Sequence, residues 1–137
     1  MFALTEAEID VAAVRNAVGD GSHGAILVFE GVTRNHFEGR PVMELSYEAW
    51  PEMAIPQMEA IGAEIASKWP GTQCAMVHRT GVVPLAEASV VIAVSSGHRG
   101  PCYEASRYAI EQLKARVHIW KKEIYADGSA WKANAPS

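Results

Sequence analysis

The 137 residues carry a formal net charge of −4, with 49% apolar and 20% charged side chains, the balance of an ordinary globular chain expected to form one domain over 1–137. That negative balance argues against a general nucleic-acid binder, which needs cations to neutralise phosphate. No apolar run approaches the roughly 18 residues of a membrane helix, the first residues lack the basic head and apolar stretch of a secretory signal, and Cys74 and Cys102 are too few for a disulfide framework or a zinc site. A reducing cytoplasm is the expected compartment, and neither a metal nor another cofactor is expected.

Thr5-Glu6-Ala7-Glu8 reads as a capping box, opening a helix that continues through Ile9, Ala12, Ala13 and Ala17 to Gly19. Gly24 to Arg34 is rich in Ile, Leu, Val and Phe and reads as a strand, followed by a polar loop from Asn35 to Pro41. Val42 to Trp50 alternates Met43, Leu45, Tyr47 and Ala49 against polar neighbours, a strand with one wet face. Pro51 suits the first position of a helix running to about Trp69, where Pro70-Gly71 ends it. Strands follow at Cys74 to Arg79 and Ser89 to Ser95, separated by a loop with Gly81 and Pro84. Val90 to Val94 is apolar at every position, so it is expected to be buried on both faces. Pro101 to Arg116 reads as a helix that runs into a strand over Val117 to Tyr125, and the tail after Trp131 reads as loose. The order of elements predicts an α+β fold with a mostly antiparallel sheet.

The segment Leu113 to Glu123 concentrates chemistry, with Lys114, Arg116, Lys121 and Lys122 falling within nine positions of an acidic chain. A partly buried lysine loses its proton readily and becomes a nucleophile or proton carrier. Lys114 lies in the last helical turn, where a lysine is ordinarily just a favourable charge. Period-two alternation puts Lys121 on the face of Val117 and Ile119, so it either snorkels to the edge or serves a site, while His118, Trp120 and Lys122 point the other way. Lys122 and Glu123 read as a surface pair. In His98-Arg99-Gly100-Pro101 a buried strand exits into a helix whose free amides attract anions, with Arg99 as an added donor. The plain alternative is a tight connection with both side chains solvated. Arg34 on these grounds alone is an exposed loop arginine, and His78 has a structural role. Cys102 follows His98 by four residues near a helix N-terminus, which could make a Cys–His nucleophile, although an ordinary small helical residue is the preferred reading.

Taken in order, Gly24-Ala25, Phe29 to His36, Leu45 to Glu48, Val77 to Gly81, Ser96 to Arg99 and Leu113 to Glu123 make this sequence similar to the large, catalytic subunit of molybdopterin synthase. Each motif is short, and their joint order and spacing over about residues 20 to 132 carry the specificity. The resemblance implies an α/β hammerhead fold with an additional small antiparallel sheet. It also implies a sulfurtransferase that converts cyclic pyranopterin monophosphate to molybdopterin. Sulfur would arrive as the C-terminal Gly-Gly thiocarboxylate of a small ubiquitin-like subunit, in a heterotetramer built on a homodimer of the large subunit. By position, the resemblance makes Lys114 and Lys121 catalytic and substrate-binding, and assigns Val32, Thr33, Arg34, His98, Arg99, Lys122 and Glu123 to substrate binding. The rival readings are a Cys102–His98 thiol enzyme and a non-catalytic module that binds an anion or a partner's tail.

Overall fold

The computed structural model describes residues 1–37, 39–126 and 128–133. A four-stranded sheet runs in the order β1-β5-β7-β2, formed by β1 (Phe2–Thr5), β5 (Gln73–Arg79), β7 (Ala88–Ser96) and β2 (Ala25–Val32). Only the β1–β5 pair in it is parallel. Val90, Ile92 and Val94 face a core shared with α2 (Pro51–Lys68) and α3 (Arg99–Arg116), while Val91 and Ala93 face α1 (Val11–Asn16) across the sheet. The fully apolar run of β7 is therefore buried on both faces, as its composition requires.

A second sheet takes the order β3-β4-β8-β9, with β6 also on β4; its strands are β3 (His36–Phe37), β4 (Arg40–Ala49), β6 (Gly81–Val83), β8 (Ile119–Tyr125) and β9 (Gly128–Ala133). All of its pairs are antiparallel. The chain crosses from the first sheet to the second within two residues: β5 ends at Arg79, and Gly81 starts β6 with a φ of +76° that suits glycine. An α+β fold with two mostly antiparallel sheets is thus what these residues form.

Several elements differ from the sequence reading. Thr5 ends a strand, and its Oγ1 accepts from the Ala7 amide, while α1 begins later with Asp10 capping the Ala13 amide at 3.1 Å. The strand β1 escapes local reading because its partner Met76 is far along the chain. The polar loop after Arg34 contains the two-residue strand β3, and the loop after β5 contains β6. Met43 does not share the inner face of β4: it is 61% exposed and Val42 is buried instead. An irregularity in the β4–β8 register between Val42 and Glu44 shifts the alternation by one, so Val42, Leu45 and Tyr47 all point inward. Residues 132 and 133 of the expected loose tail lie in β9, and the rest of it, 134–137, is outside the described residues.

Candidate active site between the two sheets

A cavity of about 280 Å³ opens where the two sheets meet the C-terminal end of α3. Phe29, Gly31 and Val32 of β2 form one wall with Ser89 and Val90 of β7. Val42, Leu45 and Tyr47 of β4 form the opposite wall with Lys121 and Glu123 of β8. Ile110 and Lys114, four residues apart and so on one helical face, close the third side, and Arg34 stands beyond the end of β2. Register explains the pairing across the second sheet: Tyr47 is opposite Lys121 and Leu45 opposite Glu123, so strand alternation brings all four side chains to one face.

The charges are unevenly disposed. Lys121 Nζ lies 3.4 Å from Glu123 Oε1, and Glu123, 2% exposed, also accepts a hydrogen bond from the Tyr125 hydroxyl. Burial pushes the Lys114 pKa below the ordinary lysine value, and the Lys121 charge pushes it in the same direction. Burial raises the pKa of Tyr47, partly offset by its hydrogen bond with Ser89 and reinforced by the Glu123 charge. Behind Tyr47, the His78 ring packs edge-on with centroids 4.9 Å apart, and its Nδ1 is 2.7 Å from the Arg79 carbonyl oxygen. Burial lowers the His78 pKa to about 4, so the ring is neutral and donates that hydrogen bond. Three cations against one carboxylate give the cavity a positive balance suited to an anion. Among the described residues no group of three or more His, Cys, Asp or Glu side chains is placed to hold a metal ion.

The MoaE protein family model matches residues 4–116 of the chain. The chain belongs to the MoaE family. It is 45% identical over 130 residues to the molybdopterin synthase catalytic subunit of Bacillus subtilis (strain 168), covering 95% of this chain and 83% of that one. It is 53% identical over 111 residues to the molybdopterin synthase catalytic subunit of Homo sapiens, covering 81% of this chain; the matched region spans 59% of the human relative's length. Its fold is similar to the crystal structure of molybdopterin synthase from Staphylococcus aureus, with a TM-score of 0.93, 42% sequence identity and 96% of each chain covered. The enzyme class that the resemblance implied, that of the molybdopterin synthase catalytic subunit, is the class of these relatives.

Set against the MoaE family resemblance, the cation-rich segment divides its labour. Lys114 and Lys121 line the cavity, as do Val32, Arg34 and Glu123. Arg116 turns away to α2, where its Nη1 lies 2.6 Å from Glu64 Oε1 and ties down the last turn of α3. Lys122 is on the opposite face of β8 from Lys121, and Glu123, expected as its surface partner, is buried and paired with Lys121. Thr33 is buried beside the mouth without lining it: its amide donates to the Glu87 carbonyl and its carbonyl accepts from the Ala86 amide. Arg79 pairs with Glu87 at 2.8 Å, so the His78-Arg79 motif braces the loop that holds Thr33, and through it Arg34. His98 and Arg99 are exposed at the N-terminal end of α3. Fifteen residues separate Arg99 from Lys114, about 22 Å along a helix, so one chain does not bring them to the same cavity. Cys102 is buried, accepting from Ser96 Oγ at 3.1 Å and facing the carbonyls of Ala25 and Val94. That thiol fills the core under α3, away from the cavity lining. Sequence reasoning missed Tyr47, Ser89, Ile110 and Tyr125 as parts of the site, because only register and helix placement bring them there.

Proposed function

We propose that this chain performs the sulfur-transfer step of molybdopterin synthase, converting cyclic pyranopterin monophosphate to molybdopterin in the cytoplasm. The observation that carries the reading is the cavity in which Lys114 of α3, Lys121 of β8 and Arg34 of the loop after β2 converge in a MoaE-family chain. Arg34 neutralises the cyclic phosphate, since guanidinium offers paired donors to phosphate oxygens. The wall of Phe29, Val32 and Ile110 receives the pterin's apolar faces. Sulfur enters as the thiocarboxylate at the Gly-Gly tail of a small ubiquitin-like subunit; a tail without side chains suits a cavity this narrow. Lys114, with its proton loosened by burial, contacts the acyl carbon or moves protons as sulfur attacks. Lys121 orients the pterin or serves as general acid toward the leaving phosphate oxygen. Lys122 contributes charge from the outer face of β8, and Thr33 supports Arg34 from its buried place in the loop.

His98 and Arg99 join the substrate site only if a second copy supplies them, which fits a homodimer carrying one small subunit at each end. Mixing Lys114→Ala chains with Arg99→Ala chains tests this. A shared site restores about a quarter of full activity in a random two-fold dimer, because half the dimers are mixed and each holds one intact site. Two inactive variants that restore nothing on mixing refute a site shared between copies, and Arg99→Ala chains that are fully active by themselves place Arg99 outside the site. The reaction itself is tested by incubating the chain with thiocarboxylated small subunit and cyclic pyranopterin monophosphate. Dithiolene product is expected, and its absence refutes the assignment.

A further inference from the structure

The two lysines of the cavity are not equivalent, although both line it. Lys121 faces a carboxylate on its own strand, and that carboxylate is held from its other side by the Tyr125 hydroxyl. Residues 121, 123 and 125 share one face of β8, so a single rigid strand carries all three groups. Lys114 comes from α3, and its side-chain nitrogen makes no hydrogen bond or ion pair with any described residue.

We propose that Glu123, buttressed by Tyr125, is a positioning residue that fixes the Lys121 side chain on β8 and leaves Lys114 as the reactive lysine of the cavity. This deepens the sulfur-transfer reading and rests on it for the identity of the reaction; the arrangement of charges belongs to the chain alone. A buried carboxylate requires a counter-charge, and the Lys121 ammonium 3.4 Å from Glu123 supplies it. The same ammonium repels a proton from Lys114, so one ion pair orients one lysine and primes the other. The remaining titratable groups facing the pair are Tyr47 on β4, His78 on β5 behind it, and Arg34 after β2. Among the described cavity-lining residues none but Glu123 carries a carboxylate, so no other lining group can take over its role. Both of its oxygens are engaged by Lys121 and Tyr125, which makes it a support for the lysine where the family resemblance implied a substrate contact.

Competitive trace acetylation of the full chain with acetic anhydride, read by peptide mass spectrometry without substrate, tests the division. At about pH 8, Lys114 is expected to label several-fold faster than Lys121, whose side-chain nitrogen is engaged by Glu123. Lys121 is also the more buried of the two, so Glu123→Gln, which keeps the shape and removes the charge, isolates the ion pair. It is expected to speed Lys121 labelling several-fold, and Glu123→Asp to retain part of the suppression. Equal labelling of the two lysines in the unaltered chain, or an unchanged Lys121 rate in Glu123→Gln, overturns the proposal. Should Glu123→Gln fail to fold, Tyr125→Phe carries the same test: faster Lys121 labelling supports the proposal and an unchanged rate overturns it. A chain with this selectivity that makes no dithiolene product refutes the sulfur-transfer reading and leaves the division of the lysines standing.

Discussion

Lys114 owes its chemistry to two neighbours it does not bond: the apolar wall that desolvates it and the Lys121 ammonium that repels its proton. Lys114→Ala is expected to abolish product formation while the chain stays folded. Lys114→Arg is expected to fail as well, because guanidinium stays protonated throughout the working range. If the neutral amine is the active form, the rate rises with pH through a limb below the usual lysine titration near 10.4. Near-normal turnover by either variant would remove Lys114 from the mechanism. His78 makes a separate prediction about stability. Its folded pKa of about 4 lies below its ordinary 6.5, so between those values the unfolded chain binds more protons than the folded one. The contribution is complete above pH 6.5 and is lost as pH falls toward 4, worth about 3 kcal/mol in all. Urea midpoints measured across this window should fall with pH, and His78→Phe should flatten that slope. An equally steep slope in the variant would place the acid sensitivity elsewhere.

At the scale of elements, the cavity depends on two irregular places in otherwise regular strands. In β4 the shift between Val42 and Glu44 turns Val42 inward to line the cavity and leaves Met43 outside. In the β2–β7 pair the register slips between Gly31 and Val32, and Ser89 Oγ closes the gap by donating to the Gly31 carbonyl at 3.1 Å. Gly31 has no room for a side chain, since a Cβ there would lie 2.8 Å from Val90 Cγ1. Gly31→Ala should therefore cost about 1–3 kcal/mol through overpacking, lowering the thermal midpoint and weakening substrate binding together. A variant as stable and as tight-binding as the parent would show that β7 yields at no cost. Alternation located β4 and apolar composition located β2, but the irregularities lie in the pairing between strands, and local sequence does not record pairing.

For the whole molecule, assembly is the sharpest expectation. Light scattering should find the chain as a homodimer, and as a heterotetramer after addition of a ubiquitin-like partner ending in Gly-Gly. Removing the partner's Gly-Gly should end turnover while weakening the complex only partly, because a globular face contributes most of an interface and a two-residue tail little of it. A chain that stays monomeric and takes up no small partner contradicts the proposed function. The crossing from β5 to β6 at Gly81 bears on the same scale, since it sets the two sheets against each other and creates the space in which the lysines meet.

Composition, periodicity and short motifs determined a great deal. The α+β class, most elements, the two-faced burial of Val90 to Val94 and the inward direction of Lys121 all follow from local pattern, because helix and strand periods are local properties of a chain. The motif order alone also supplied the family. Tertiary structure decided what local pattern cannot carry: which cations converge, and which carboxylate serves them. Glu123 adjoins Lys122 in sequence yet pairs with Lys121, because neighbouring strand residues point to opposite faces. Arg99 opens the same helix that carries Lys114 and His98 caps it, yet the length of that helix puts both at its far end. Tyr47, Ser89 and Ile110 reach the cavity through pairings and packing between distant segments, and such long-range contacts exist only once the two sheets have come together.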